Sequence, residues 1–208
     1  MRIPIRRYTW GAGVAGQLGR GAFADAWLPA PIVGPAVAAP VISISAGMNH
    51  TAVITLGGNL YLSGWGEHGR LGLGDRKARS TPTLLPPAAF KTPPRVVACG
   101  GCHTLVLCEG GEVHSFGWGA FGQLGYRTPG SSDSQLKPRR IESSKLDGAV
   151  GLVCVRVCVC VCVCVCVCVL VCVCVCVGGG GIVTRGAPGR HEHPGRPRWI
   201  CALRSRLR

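Results

Sequence analysis

Acidic residues are scarce in this chain. Nine Asp and Glu stand against 23 Lys and Arg in 208 residues, a formal net charge of +14. No two carboxylates sit in a setting that suggests paired acid–base work. Helical periodicity is missing too. Outside one Val/Cys tract, no segment of ten or more residues repeats its apolar positions every 3.6 residues. Cysteine outside that tract is limited to Cys99, Cys102, Cys108 and Cys201. That is too sparse for a disulfide framework, and no apolar N-terminal segment suggests secretion. The expected setting is therefore intracellular and reducing, cytoplasmic or nuclear. No P-loop and no Ser/His/Asp order is present, and the Gly11–Gly16 stretch has no strand-to-helix context for a dinucleotide. The expectation is a protein that is not an enzyme and needs no cofactor.

What the chain does have is 32 glycines and 15 prolines, which points to tight turns and short strands. It also has an internal repeat. Gly16-Gln17-Leu18-Gly19, Gly69-Arg70-Leu71-Gly72 and Gly122-Gln123-Leu124-Gly125 recur every 53 residues. His50-Thr51 and His103-Thr104 hold the same spacing, as do Trp65-Gly66 and Trp118-Gly119. Propeller blades repeat at roughly 40–50 residues.

Each unit reads as a hairpin. Thr51–Leu56 and Thr104–Cys108 are short β-branched and apolar runs, followed by the turn signals Gly57-Gly58-Asn59 and Glu109-Gly110-Gly111. Second strands are predicted over Leu60–Ser63 and Glu112–Phe116. A Trp-Gly-x-x-Gly-x-Leu-Gly turn follows, with Leu and Trp expected to plug the space between units. Residues 75–94 are expected to form an outer loop with a short strand near Thr83–Leu85.

The stretches GMNHTAVITLGGNLYLSGWGEHGRLGLGD and GGCHTLVLCEGGEVHSFGWGAFGQLG resemble repeats of the regulator of chromosome condensation family. The N-terminal WGAGVAGQLGRG resembles the same turn with a small insertion. The resemblance covers residues 8–146 and implies an all-β propeller of four-stranded blades, seven in a complete one. This chain has sequence for two to three blades, so the expected fold is an incomplete propeller. The resemblance also sorts the residues. Gly16, Leu18 and Gly19 belong to the first unit. Gly47, His50, Thr51, Gly64, Trp65, Gly66, Gly69, Leu71 and Gly72 belong to the second. Gly100, His103, Thr104, Gly117, Trp118, Gly119, Gly122, Leu124 and Gly125 belong to the third. All are expected to be structural, none catalytic, cofactor-binding or metal-binding. A light-absorbing tryptophan device occurs in the family as Gly-Trp-Arg-His-Thr. It is absent here, where Met48 and Gly101 occupy its tryptophan position.

Residues 149–177 form a Val/Cys low-complexity tract, and residues 178–208 a Gly/Arg/Pro-rich tail expected to be disordered. From Val157 to Val177 the two residues alternate almost without a break. A strand usually has about 3–10 residues, structural zinc prefers spacings such as C-x₂₋₄-C, and a membrane span rarely alternates two residue types. Alternating G and T in DNA encodes Val-Cys-Val-Cys directly. The expectation is a truncated or mis-spliced product, with a membrane anchor as the alternative. An unbroken apolar, proline-free tract of this kind is also expected to make the chain poorly soluble.

The remaining candidates have bland readings. Cys99, Cys102 and Cys108 contain one C-x₂-C without a second pair, so metal binding is not expected. Lys137-Pro138-Arg139-Arg140 reads as a solvated basic run rather than a nuclear signal. His191-Glu192-His193 lies in the tail. The leading functional expectation is a protein-interaction or scaffolding module using the stretches Gly74–Pro87 and Tyr126–Lys137. The alternatives are an exchange factor for a small Ran-like GTPase with chromatin contact, or a membrane-anchored repeat protein.

Overall fold

The computed structural model describes residues 7–37, 39–128, 133–142, 149–155, 173–178 and 181–185. Most of the Val/Cys tract, and His191-Glu192-His193, lie outside the described residues. The described chain is built of strands and three short 3-10 turns. Two four-stranded antiparallel sheets form its centre. The first takes β3 (Val41–Ala46), β4 (His50–Thr55), β5 (Leu60–Gly64) and β6 (Arg79–Leu84) in chain order. The second takes β7 (Pro94–Cys99), β8 (His103–Cys108), β9 (Val113–Trp118) and β10 (Ser134–Arg140) in the same way. These are two complete blades, and the repeat carries each inner strand of the first onto its counterpart in the second. Before them β1 (Tyr8–Gly11) pairs with β2 (Ala26–Pro31). After them β11 (Ala149–Val155), β12 (Val173–Gly178) and β13 (Gly181–Arg185) form a three-stranded antiparallel sheet. Among the described residues no helix is long and apolar enough to cross a membrane.

The predicted hairpins are present as β4–β5 and β8–β9. The sequence reading names no strand over β3, β7 or β10, and it shortens β6. The loop expected at residues 75–94 is in good part the six-residue strand Arg79–Leu84. β6 and β10 are the outermost strands of their sheets, where Pro82 and Pro138 are tolerated because one side of the strand has no ladder to donate to.

Strand alternation splits each blade into two faces. Ala52, Ile54, Leu60 and Leu62 of the first blade meet Val97, Cys99, Val106, Cys108 and Phe116 of the second in one buried cluster, together with Leu71 and Leu85. The far face of the second blade buries Ala98, Leu105, Leu107 and Val113, and β11 lies beside β7 and β8 on that side. Thus Leu71 plugs the space between blades as expected, and Leu18 and Leu124 are buried as well. Trp65 is not a plug, being 44% exposed.

The turn after the third strand repeats closely in all three units. Gly11, Gly64 and Gly117 share a left-handed backbone, φ 102°, 112° and 109°, which only glycine adopts freely. At Gly64 and Gly117 the reason is also space, since a Cβ would meet the Asn49 or Cys102 carbonyl. This register corrects the reading of the first unit. Gly11 stands where Gly64 stands, and Ala12, not Trp10, takes the place of Trp65. There is no insertion.

Candidate functional site

The first-to-second-strand loops and the glycine turns lie at the same end of the blades. Trp65 donates its backbone N–H to the Asn49 carbonyl at 2.7 Å, and Trp118 does so to Cys102 at 2.9 Å. Below this end the Gly-x-x-His-Thr mark ties one blade to the next. The Thr104 hydroxyl donates to the Arg70 carbonyl at 2.7 Å, and Thr51 donates to the Gln17 carbonyl at 2.8 Å. With its proton committed, Thr104 Oγ1 accepts from His50 Nε2 at 2.9 Å. His50 therefore carries its proton on Nε2, and Nδ1 is buried without a partner. Burial, reinforced by Arg70 and His103, holds the His50 pKa down at about 3. Such a ring stays neutral at physiological pH. The histidines also explain the leading glycines. A Cβ on Gly47 or Gly100 would overlap the imidazole ring of His50 or His103.

Arg70 departs from the repeat. At the same register, Gln17 and Gln123 use their side-chain oxygens to accept from Ala15 and Phe121 within their own turns, at 3.0 and 2.9 Å. The Arg70 side chain is fully buried. It donates to the carbonyls of Glu67 at 3.0 Å and Gly101 at 3.1 Å, and its guanidinium carbon lies 5.1 Å from the centre of the Trp65 ring. Burial lowers its pKa from the usual arginine value, and Cys102 opposes that shift. Carbonyl dipoles and an aromatic face thus take the place of a carboxylate.

A second contact crosses the blades at the surface. His68 adopts φ 59°, and its ring stacks on Trp118 at 5.4 Å. Trp118 meets Phe121 edge-on at 5.0 Å. Ser134 Oγ lies 3.4 Å from His68 Nδ1. His68, Trp118 and Phe121 form a contiguous aromatic ridge, and Trp65, 44% exposed, stands at the register of Trp118 on the preceding turn. The sequence reading directs attention instead to Gly74–Pro87 and Tyr126–Lys137, much of which is built into β6 and the start of β10. The signal for the ridge was present in the differences between repeats: Ala15, His68 and Phe121 share one register position.

Other candidates do not converge. Cys99 and Cys108 are buried within the inter-blade cluster, and burial pushes both thiols up to about 12. Cys102 sits in a loop, partly exposed. Among the described residues no group of three His, Cys, Asp or Glu is placed to hold a metal ion. The basic run is part of β10, where Arg139 lies over the Tyr126 ring at 4.5 Å.

Comparison with known proteins agrees with this geometry. The Regulator of chromosome condensation (RCC1) repeat matches residues 6–54, 57–107 and 110–156. The third match runs through Ala149–Val155, into the first residues of the Val/Cys tract. The chain is 36% identical over 135 residues to the ultraviolet-B receptor UVR8 of Arabidopsis thaliana, covering 65% of this chain and 30% of the relative. It is 38% identical over 135 residues to the secretion-regulating guanine nucleotide exchange factor of Mus musculus, covering 65% and 28%. The crystal structure of human WBSCR16 superposes with a TM-score of 0.69 at 21% identity, over 86% of this chain and 42% of that one. The chain thus spans under a third of the length of these two curated relatives.

Proposed function

This chain belongs to the regulator of chromosome condensation repeat family, and we propose that it works as a non-catalytic protein-interaction module that binds through the aromatic ridge His68–Trp118–Phe121 and the exposed Trp65 of the preceding turn. The observation that carries this reading is a division of labour within the repeat. Positions that make the blade are the same from unit to unit: Leu18, Leu71 and Leu124 are buried, and Thr51 and Thr104 make the same hydrogen bond to the preceding turn. In this reading the Gly, His, Thr and Leu signature is scaffold. Positions that face outward on the turns differ: Ala15, His68 and Phe121 share one register, and at another Ala12 stands where the two complete blades carry Trp65 and Trp118. A rigid scaffold with variable exposed turns is the usual arrangement of a binding surface, and exposed Trp is enriched among residues that dominate interfaces. The partner is expected to be a protein. Capture of interacting proteins by the chain and by a Trp118→Ala/Phe121→Ala variant tests the reading. The variant should lose at least tenfold in recovery of a specific partner while keeping its strand spectrum. Equal recovery would place the binding surface elsewhere.

A second reading is exchange activity on a small Ran-like GTPase, favoured by the relative that carries exchange factor in its name. Release of a fluorescent guanine nucleotide from such a GTPase measures it. The module reading expects no acceleration.

A further inference from the structure

The repeat assigns β1, β2 and β11 a position in a blade, pairing with β11 assigns β12, and at the two ends of the array these positions are complementary. β1 and β2 stand where β5 and β6 stand one repeat later: Gly11 pairs with Ala26 as Gly64 pairs with Arg79. They are the outer half of a blade. β11 follows the second blade and lies beside β7 and β8, as β7 lies beside β3 and β4. It is the innermost strand of a further blade, with β12 as its neighbour.

The inner half that would complete β1–β2 leaves a mark on the first blade. Ile42 and Ile44 are 44% and 56% exposed on β3, facing away from Ser43 and Ser45, whose hydroxyls accept from the β7 backbone at 3.3 and 2.9 Å. At the register of Ile44 the second blade has Val97, 4% exposed because the first blade covers it. Among the described residues β1 pairs only with β2, so its inner edge is open.

We propose that a second copy of this chain docks head to tail, its β11–β12 pair adding to the inner edge of β1 and lying over Ile42 and Ile44. The joint is a composite blade, inner half from one copy and outer half from the next. It continues the packing already seen between the two blades within one chain. In a single chain β13 holds the outer edge of β12. β12 and β13 both lie beyond residue 156, where the family match ends; β12 holds the second position by its pairing with β11, and in the joint β1 takes the place of β13. Such a contact is heterologous, each copy offering one head and one tail.

Complementation of blocked variants tests the direction as well as the contact. Ile42→Asp/Ile44→Asp blocks the head. Cys174→Pro/Cys176→Pro removes ladder donors from β12 and blocks the tail. Differently tagged full-length chains are co-expressed, and co-purification and mass by light scattering are measured. The unblocked chain should self-associate to at least twice the mass of one chain. Each blocked variant alone should lose at least tenfold in association, and the two together should recover a one-to-one pair. Ile42→Val/Ile44→Val should associate like the unblocked chain, which separates loss of the contact from loss of folding. A single-chain mass for the unblocked protein, self-association of the head-blocked variant alone, or failure of the two variants to pair would overturn the proposal.

Discussion

The contact that joins the blades at the level of single atoms is the relay His50–Thr104–Arg70 carbonyl. It leaves Thr104 no spare proton and His50 one tautomer. Thr104→Val keeps the shape and removes the hydroxyl. His50 Nε2–H and the Arg70 carbonyl then lose a partner in a buried site, which costs about 1–3 kcal/mol per unsatisfied group. Urea unfolding should show a lower midpoint with an unchanged slope. The same histidine makes stability depend on pH. Its folded pKa, about 3, lies below the ordinary 6.5, so between these values the unfolded chain binds a proton that the folded chain refuses. The stability from this site is fully present above about 6.5 and is lost progressively as pH falls toward 3. His50→Gln should flatten the fall in urea midpoint between pH 7 and pH 5. A slope equal to that of the unaltered chain would mean that other groups govern acid unfolding. These residues were legible in the sequence because each repeats at 53. Arg70 was not. It occupies a register where the other units carry Gln, and only the fold reveals that its guanidinium reaches Gly101 of the next blade.

A blade is held chiefly by its neighbour, and the element that shows this best is β9. Phe116 is fully buried where the first blade has Ser63 at the same register. Its ring packs so closely that a Cβ on Gly72 would lie 2.8 Å from it, and it joins Leu71 and Leu85 to the inter-blade cluster. Truncating a buried Phe to Ala typically costs about 3–5 kcal/mol, against about 5–15 kcal/mol for a whole domain. Phe116→Ala should therefore lower thermal stability more than Phe121→Ala on the exposed ridge, measured side by side by circular dichroism. Equal effects would show that the two blades do not share one core. The central hairpins were readable because β-branched runs alternate with glycine turns. The outer strand β6 was read only at its end, near Thr83–Leu85, and β10 was not read, because Ser134–Arg140 carries Pro138 and three basic residues. Such a segment has little strand propensity of its own and is fixed by pairing with β9 on one side. The inner strand Val41–Ala46 was readable in principle, since VISISA alternates apolar and small residues throughout. Its outward isoleucines look like a core face, yet they are exposed.

At the scale of the whole array, burial is graded from one side to the other, and the gradient should appear in its dynamics. The second blade has a neighbour on both faces, with the first blade against Val97, Val106 and Phe116, and β11 along the other side. The first blade has a complete neighbour on one face only. Its β3 is half open, and the β1–β2 pair carries Tyr8, Trp10, Trp27 and Leu28 exposed. Local opening is easiest where few apolar contacts must break. Amides of β8, central in its sheet and buried along its whole length, should exchange with solvent most slowly. Those of β4 and β5 should follow, and those of β1 and β2 should exchange fastest. The order also separates two views of a repeat array. If each blade were an independent unit, β4 and β8 would exchange alike, since their sequences and hydrogen bonds correspond. If stability comes mainly from interfaces between neighbours, β8 is protected beyond β4. Hydrogen exchange read by mass spectrometry resolves these strands, and equal protection of His50–Thr55 and His103–Cys108 would refute the interface account. Head-to-tail association adds a signature of its own: it covers β3 and the edge of β1, so raising the protein concentration should slow exchange there while leaving β8 unchanged.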